Sequence, residues 1–285
     1  MITAVTTAAV ASWRRKAAGK VVFVPTMGAL HGGHAALIRR ARRLAGKHGS
    51  VAVSIFVNPT QFGPKEDFTR YPRPVRADSA LCKKEGVDLL FRPDVGEMYS
   101  PDSSTVVHEK HLSDRFEGAE RPGHFEGVCT VVSLLFQIIR PDTAVFGEKD
   151  WQQLAVIRRM VRDLKIPIRI DGHPIVREED GLALSSRNRF LTPEARKVAP
   201  RIFQSLTAAA MNAEATYAKP SALEKQLRSD LCAIPGAMVD YAAIVEESTL
   251  EPLARPVFET RARALVAVRL GGVRLLDNLA IPFQR

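Results

Sequence analysis

Over roughly the first 170 residues, short apolar runs alternate with longer stretches in which apolar positions recur every three or four residues. The runs at residues 21–24, 50–57, 87–91, 144–146 and 168–170 have the length and β-branched content of buried strands. Between them, the stretch opening at residue 35 and those at 75–85, 125–139 and 151–164 predict helices. Strands that alternate with crossover-length helices predict a doubly wound parallel sheet, with the strands at 21–24 and 50–57 as parallel neighbours. No element is predicted before residue 21.

The pattern changes after His173-Pro174. Thr192-Pro193-Glu194-Ala195 reads as an N-cap, a proline at the first helical position and a helix start. Helical stretches follow at 195–213, with a break at Pro200, and at 221–232. Strand-like runs at 239–245, 264–270 and 273–276 close the chain, the last two joined by Gly271-Gly272 as in a tight hairpin. The expectation is a domain over residues 1–175 and a smaller C-terminal α+β domain over 176–285 containing an antiparallel sheet. The long aperiodic stretch 58–74 reads as a functional loop, and its part from 63 to 74 as a gate. Residues 208–218 are alanine-rich and read as exposed helix and loop.

Composition narrows the class. With 285 residues, 46% of them hydrophobic, the chain buries a substantial core, and its formal charge of +10 suggests anionic company. The densest basic cluster, Arg39, Arg40, Arg42, Arg43 and Lys47, falls on the predicted helix after residue 35 and reads as a solvated face. An RNA-binding reading of it lacks a recognition signature and interleaved aromatics, so no nucleic-acid partner is expected. Three scattered cysteines fit neither a disulfide framework nor a metal site and imply a reducing, cytoplasmic compartment. The longest apolar run, about 128–139, is too short to span a bilayer, so no membrane partner is expected.

The candidate chemistry collects after the strands. Residues 25–34 read P-T-M-G-A-L-H-G-G-H between a strand and a helix, an arrangement that aims backbone N–H groups and a helix N-terminus at an anion. His31 and His34 lie three apart, so they share one face of the first turn. A zinc site is the competing reading, short of a third ligand. Gly147-Glu148-Lys149-Asp150 follows another strand; Lys149 suits a phosphate, and Asp150 ribose hydroxyls or a metal. Taken alone, that triplet of charges is a helix cap. Gln153, a turn further on, suits a neutral polar group, and Ser185-Ser186-Arg187-Asn188 suits a polyphosphate, although by itself it reads as a solvated loop. In open parallel sheets ligands bind beyond the carboxyl ends of the strands, where the stretches after residues 24, 57 and 146 all fall.

Taken in order, PTMGALHGGH, SIFVNPTQFG, RYPR, FGEKDWQQL and LSSRN resemble the pantoate–β-alanine ligase (pantothenate synthetase) family, and His-x-Gly-His resembles the signature of the wider nucleotidylyl transferase superfamily. The resemblance implies a Rossmann-like N-terminal domain with the C-terminal domain closing over it as a lid, and ATP-dependent condensation of (R)-pantoate with β-alanine on the way to coenzyme A, through a pantoyl adenylate, with Mg²⁺ and as a homodimer. It implies an ATP site of Met27, Gly28, His31, His34, Gly147, Lys149, Asp150, Val176, Leu184, Ser185, Ser186 and Arg187. It further implies that His34 is the catalytic donor, that Gln61 meets both pantoate and β-alanine, and that Gln153 binds pantoate. His31, His34, Lys149, Ser185, Ser186 and Arg187 are expected to stabilise the charge of adenylyl transfer. Members commonly carry an acidic residue where Gly32 stands, which predicts altered flexibility of this turn. Two rivals remain: a nucleotidylyl transferase that keeps the nucleotide on its product, and a non-catalytic RNA-binding protein.

Overall fold

The protein is described by a computed structural model over residues 1–63, 68–216, 219–255 and 261–283, with the side chains of 215 and 216 left aside. Part of the expected gate, residues 64–67, and the end of the alanine-rich stretch, 217–218, lie outside the described residues. The chain divides into two compact units, Met1–Glu148 with Val156–Pro174, and Lys149–Ala155 with Ile175–Arg285.

The first unit is built on six parallel strands: β1 (Ile2–Ala4), β2 (Val21–Thr26), β3 (Ser50–Ile55), β4 (Leu89–Phe91), β5 (Thr143–Gly147) and β6 (Arg169–His173), in the order β1-β4-β3-β2-β5-β6. The chain leaves the middle of the sheet in both directions, to β3 from one side of β2 and to β5 on the other. The carboxyl ends of β2 and β5 therefore flank the switch point where such sheets bind ligands. Its helices are α1 (Thr7–Lys16), α2 (Gly32–Ala45), α3 (Val75–Lys84), the single turns α4 (Val95–Met98) and α5 (Glu117–Glu120), α6 (His124–Ile139) and, from Val156 onward, α7 (Trp151–Asp163), whose first residues belong to the second unit.

Strand β2 is apolar without alternation because both of its faces are covered. Val22 and Val24 join Ile38, Ala41 and Ala45 of α2 and Cys82 of α3 in one buried cluster. Phe23 points the other way and meets Phe136 of α6 edge-on at 6.5 Å, and Phe136 meets Phe146 of β5 at the same distance. Helix α6 ends at Arg140, which turns into the left-handed region (φ 51°) before Pro141.

Two departures from expectation have physical causes. The sheet has an extra edge strand and helix before residue 21: β1 is three residues long, and α1 buries only Val10 and Trp13, too little periodicity to register. The basic face of α2 is not simply solvated. Arg39 pairs with Glu85 at 2.8 Å, Arg40 with Asp171 at 2.9 Å in a bidentate fork, and Arg42 with Asp88. These arginines tie α2 to the end of α3, to β6 and to the start of β4.

The second unit packs α8 (Pro193–Val198), α9 (Arg201–Thr216) and α10 (Pro220–Cys232) with an antiparallel sheet of β7 (Ala237–Glu246), β8 (Ala262–Leu270) and β9 (Val273–Ile281). Thr192 caps α8 as expected, its hydroxyl accepting from Ala195 N–H at 3.2 Å, and the chain breaks between α8 and α9 around Pro200. The Gly271-Gly272 hairpin closes with positive φ at both positions, 55° and 77°. Strand β9 runs five residues beyond the expected 276 because Asp277 and Asn278, which end the apolar pattern, are buried and paired. Arg177 grips Asp277 at 2.7 and 2.9 Å, and Arg263 donates to the Asn278 carboxamide oxygen at 2.6 Å. Burial pushes the Asp277 carboxyl up, and the Arg177 guanidinium works against it.

Candidate active site

The turn between β2 and α2 is built by reciprocal capping. His31 is the N-cap of α2; its Nδ1 accepts from Gly33 N–H at 3.1 Å, while His34 Nδ1 accepts from His31 N–H at 3.2 Å. A ring nitrogen that accepts a backbone N–H carries no proton, so these caps hold each imidazole neutral, with its hydrogen on Nε2. The two rings lie 4.2 Å apart, tilted by 50°. Gly32 stands at the exposed first position of the helix with its neighbours in regular capping geometry, so the missing acidic side chain leaves the turn intact.

Residues 28–30 are held from α3. Asp78, only 2% exposed, accepts from Ala29 N–H at 3.0 Å through one oxygen and from Leu30 N–H at 2.8 Å through the other. Gly28 has φ 85°, where a side chain is strained, and a Cβ there would lie 3.0 Å from both Asp78 Oδ2 and Ile55 Cγ2, tighter than ordinary contact, so the position favours glycine. Gly28 N–H itself goes to Thr26 Oγ1 at 3.2 Å. The N–H groups of 28, 29, 30, 31 and 33 are thus engaged within the protein.

Met27 follows the end of β2, and Gly147 ends β5, its hydrogen-bonded neighbour, so these two expected ATP-site residues flank the switch point. Gln61 follows β3 in a single 3₁₀ turn, Pro59–Gln61, capped by Asn58.

In the second unit, Lys149, Ser185, Asn188 and Asp277 line one small pocket with Leu182 and Leu276. Lys149 is held there by its carbonyl, which accepts from Asn278 Nδ2 at 2.9 Å, and its ammonium lies 3.4 Å from Asp150. Trp151 is anchored beside it: its indole N–H donates to Glu247 O at 3.0 Å, and the Arg263 guanidinium stacks 3.4 Å over the ring. Gln153 sits half-buried in the first turn of α7. Leu184 N–H donates to Val176 O at 2.9 Å, which places these two side by side. Ser185 caps the 3₁₀ turn Ser186–Phe190, accepting from Arg187 N–H at 3.2 Å. Asn188, one of the residues lining that pocket, gives its amide hydrogens to Glu178 and Ala183 O, while its buried Oδ1 has no partner among the described residues.

Two residues of this machinery carried no readable signal. Asp78 looks like any acid in the first turn of a polar helix, and Asn278 like a polar interruption of a strand; each is recognised only by what it holds in three dimensions. Among the described residues no three His, Cys, Asp or Glu side chains gather as a metal site. No helix of the described residues is long and apolar enough to cross a membrane.

A parallel sheet with an imidazole-capped helix at its switch point defines an α/β protein of the nucleotide-binding kind. Comparison with known proteins is more specific. The model of the pantoate-β-alanine ligase family matches residues 2–280, and the chain belongs to that family. It is 51% identical to the pantothenate synthetase of Acidothermus cellulolyticus over 264 residues, covering 92% of this chain and 85% of the relative. It superposes on a crystal structure of pantothenate synthetase from Thermus thermophilus with a TM-score of 0.91 at 47% identity, covering all of both chains. The pantoate-β-alanine ligase of Francisella tularensis, in complex with beta-gamma ATP and beta-alanine, aligns with a TM-score of 0.78 at 34% identity, over 98% of this chain and 97% of the other.

Proposed function

We propose that this chain condenses (R)-pantoate with β-alanine at the expense of ATP, releasing AMP and pyrophosphate through an enzyme-bound pantoyl adenylate. Family membership along residues 2–280 carries the reading. A free carboxylate is a poor acyl donor, since oxide would have to leave. Its oxygen therefore first attacks the α-phosphorus of ATP, and pyrophosphate departs; the β-alanine amine then attacks the acyl carbon and expels AMP. No covalent bond to the protein is needed.

The first step spreads charge over the phosphoryl oxygens, and donors fixed beforehand stabilise it without reorganisation. We assign that work to His34 and His31 as neutral Nε2–H donors and to Lys149, Ser185, Ser186 and Arg187. Met27, Gly28, Gly147, Asp150, Val176 and Leu184 complete the nucleotide site, Gln61 and Gln153 hold pantoate, and Gln61 also meets β-alanine. Two observations support the assignment: Lys149 and Ser185 share a pocket, and Asn188, which also lines it, has a side-chain oxygen with no partner among the described residues. On this reading residues 1–175 bind ATP and pantoate, and residues 176–285 act as a lid domain.

Mg²⁺ accompanies ATP in this reading. It takes most of its oxygens from phosphate and water and needs one or two protein carboxylates; Asp150, with its side chain 46% exposed, fits that demand. Bound there, the ion would neutralise polyphosphate charge. The protein is further proposed to work as a cytoplasmic homodimer without a nucleic-acid or membrane partner; the pairing of Arg39, Arg40 and Arg42 with carboxylates supports the nucleic-acid part of this.

The test is isotope exchange between pyrophosphate and ATP. Exchange that requires pantoate, followed by AMP release when β-alanine is added, is the expected result. Exchange with other carboxylic acids but not pantoate, or product that retains the nucleotide, would overturn the reading.

A further inference from the structure

The Arg121-Pro122-Gly123-His124 segment is absorbed by none of the roles assigned so far, and both of its polar side chains turn to the backbone of Gln61. Arg121 Nη2 donates to the Gln61 carbonyl at 3.1 Å, and His124 Nδ1 lies 2.9 Å from the same oxygen. A carbonyl only accepts, so Nδ1 carries the hydrogen; His124 Nε2 is then the acceptor that faces Arg121 Nη1 at 3.2 Å. The three groups are mutually consistent in one protonation pattern, a neutral His124 between a donor and an acceptor.

The Gln61 side chain, 8% exposed, is fixed from the other end. Asn58 is oriented by two backbone groups, its Nδ2 donating to Gly127 O at 3.1 Å and its Oδ1 accepting from Thr60 N–H at 3.3 Å. The Thr60 hydroxyl and Tyr99 OH also donate to that Oδ1, at 3.0 and 2.9 Å. Asn58 can therefore offer Gln61 only an N–H, and the 3.1 Å contact from Asn58 Nδ2 falls on Gln61 Oε1. The Gln61 amide oxygen is spent on the protein, and no hydrogen bond among the described residues takes up its NH₂. Close packing reinforces the arrangement, since a Cβ on Gly127 would strike Thr60 O at 2.5 Å.

We propose that Arg121 and His124 are positioning residues that clamp the Gln61 main-chain carbonyl and so keep its side chain against Asn58, which makes Gln61 present its amide hydrogens, and never its oxygen, to substrate. It follows that the groups Gln61 meets are hydrogen-bond acceptors: the carboxylate or hydroxyl oxygens of pantoate, and the carboxylate of β-alanine rather than its amine. This rests on the proposed role of Gln61 in binding both substrates, and it extends that role to the chemistry of the contact.

The first measurement needs no substrate. In ¹⁵N-labelled protein the Gln61 side-chain NH₂ gives two well-dispersed proton signals if the amide is held; His124→Ala is expected to draw them toward the values of a free glutamine, and His124→Asn, whose NH₂ can replace Nδ1–H, to restore them in part. Unchanged Gln61 signals in His124→Ala overturn the clamp whatever the enzyme turns over. The second measurement is pantoate-dependent exchange. His124→Ala and Arg121→Lys should raise KM for pantoate about tenfold while leaving KM for ATP within about twofold, tenfold corresponding to about 1.4 kcal/mol, the net worth of one such hydrogen bond. Gln61→Glu should bind pantoate more weakly than Gln61→Ala, because an acceptor then faces an acceptor. Equal or tighter binding by Gln61→Glu contradicts the donor assignment, while loss of exchange in the wild type would contradict the function and leave the amide signals to decide the clamp.

Discussion

Replacing Asp78 tests how the turn bearing His31 and His34 is held. Its carboxylate is buried and makes two charge-assisted bonds, 3.0 and 2.8 Å long, to consecutive backbone N–H groups. Each such bond is worth about 1.5–3 kcal/mol, so Asp78→Ala should cost about 3–6 kcal/mol. That is a large share of the roughly 5–15 kcal/mol that holds a typical protein folded. The penalty is concentrated where strain is already stored, since Ala29 sits at φ 50°, a left-handed conformation costing about 1–2 kcal/mol. Freed from Asp78, residues 28–30 should relax and carry His31 and His34 with them, and a displacement of about 1 Å typically costs about 100-fold in rate. Urea unfolding and pyrophosphate exchange measured on the same preparations separate the two effects. Asp78→Asn provides a milder variant: one N–H keeps its oxygen while the other meets an NH₂ group, so the stability loss should be about half and KM for ATP should still rise. An Asp78→Ala protein with the unfolding midpoint and ATP dependence of the wild type would refute the reasoning.

Further outcomes follow from the same contacts. His34→Gln keeps a side chain able to cap His31 N–H but lacks the imidazole donor, so thermal unfolding should match the wild type while exchange falls about 10²–10³-fold; a well-folded variant at near-normal rate would remove His34 from the chemistry. The Arg40 hydrogen bonds hold the Asp171 carboxyl below its ordinary value of 3.8, so the pair stabilises the fold above that pH and loses its contribution as pH falls through the lowered value; Asp171→Asn should flatten the decline of the urea midpoint below about pH 4, and an identical acid slope would contradict this. Burial pushes the Cys82 and Cys129 thiols up to about 12, with the neighbouring Asp78 charge adding to the effect at Cys82, whereas Cys232 is exposed. Native alkylation counted by mass spectrometry should therefore label one thiol, and all three only after denaturation.

Much of the first unit is legible in the chain because its strands are covered on both faces: Val22, Phe23 and Val24 are all buried and so all apolar, a signal that needs no partner to be read. β1 and α1 escape notice for the opposite reason, as edge elements with few buried positions. The second half of β9 is hidden because its polar residues are satisfied from far along the chain: Asp277 by Arg177, 100 residues away, and Asn278 in part by Lys149, 129 residues away. No local pattern reaches so far. At the site, the spacing of His31 and His34 points to one helix face, but their reciprocal capping, and with it the neutral state of both rings, depends on backbone geometry that spacing does not encode. The roles of Gln61 and Gln153 are suggested by family resemblance rather than by residue pattern. The donor-only presentation of Gln61 emerges only when every hydrogen around Asn58 is placed.

The most direct test of the central claim is the path of one oxygen atom. Pantoate labelled with ¹⁸O in its carboxylate is turned over with ATP and β-alanine, and the AMP and pyrophosphate are separated and weighed by mass spectrometry. Attack of that carboxylate on the α-phosphorus places one labelled oxygen in AMP and none in pyrophosphate. Unlabelled AMP, or label in the other phosphate product, would contradict the adenylate on which the proposed reaction stands.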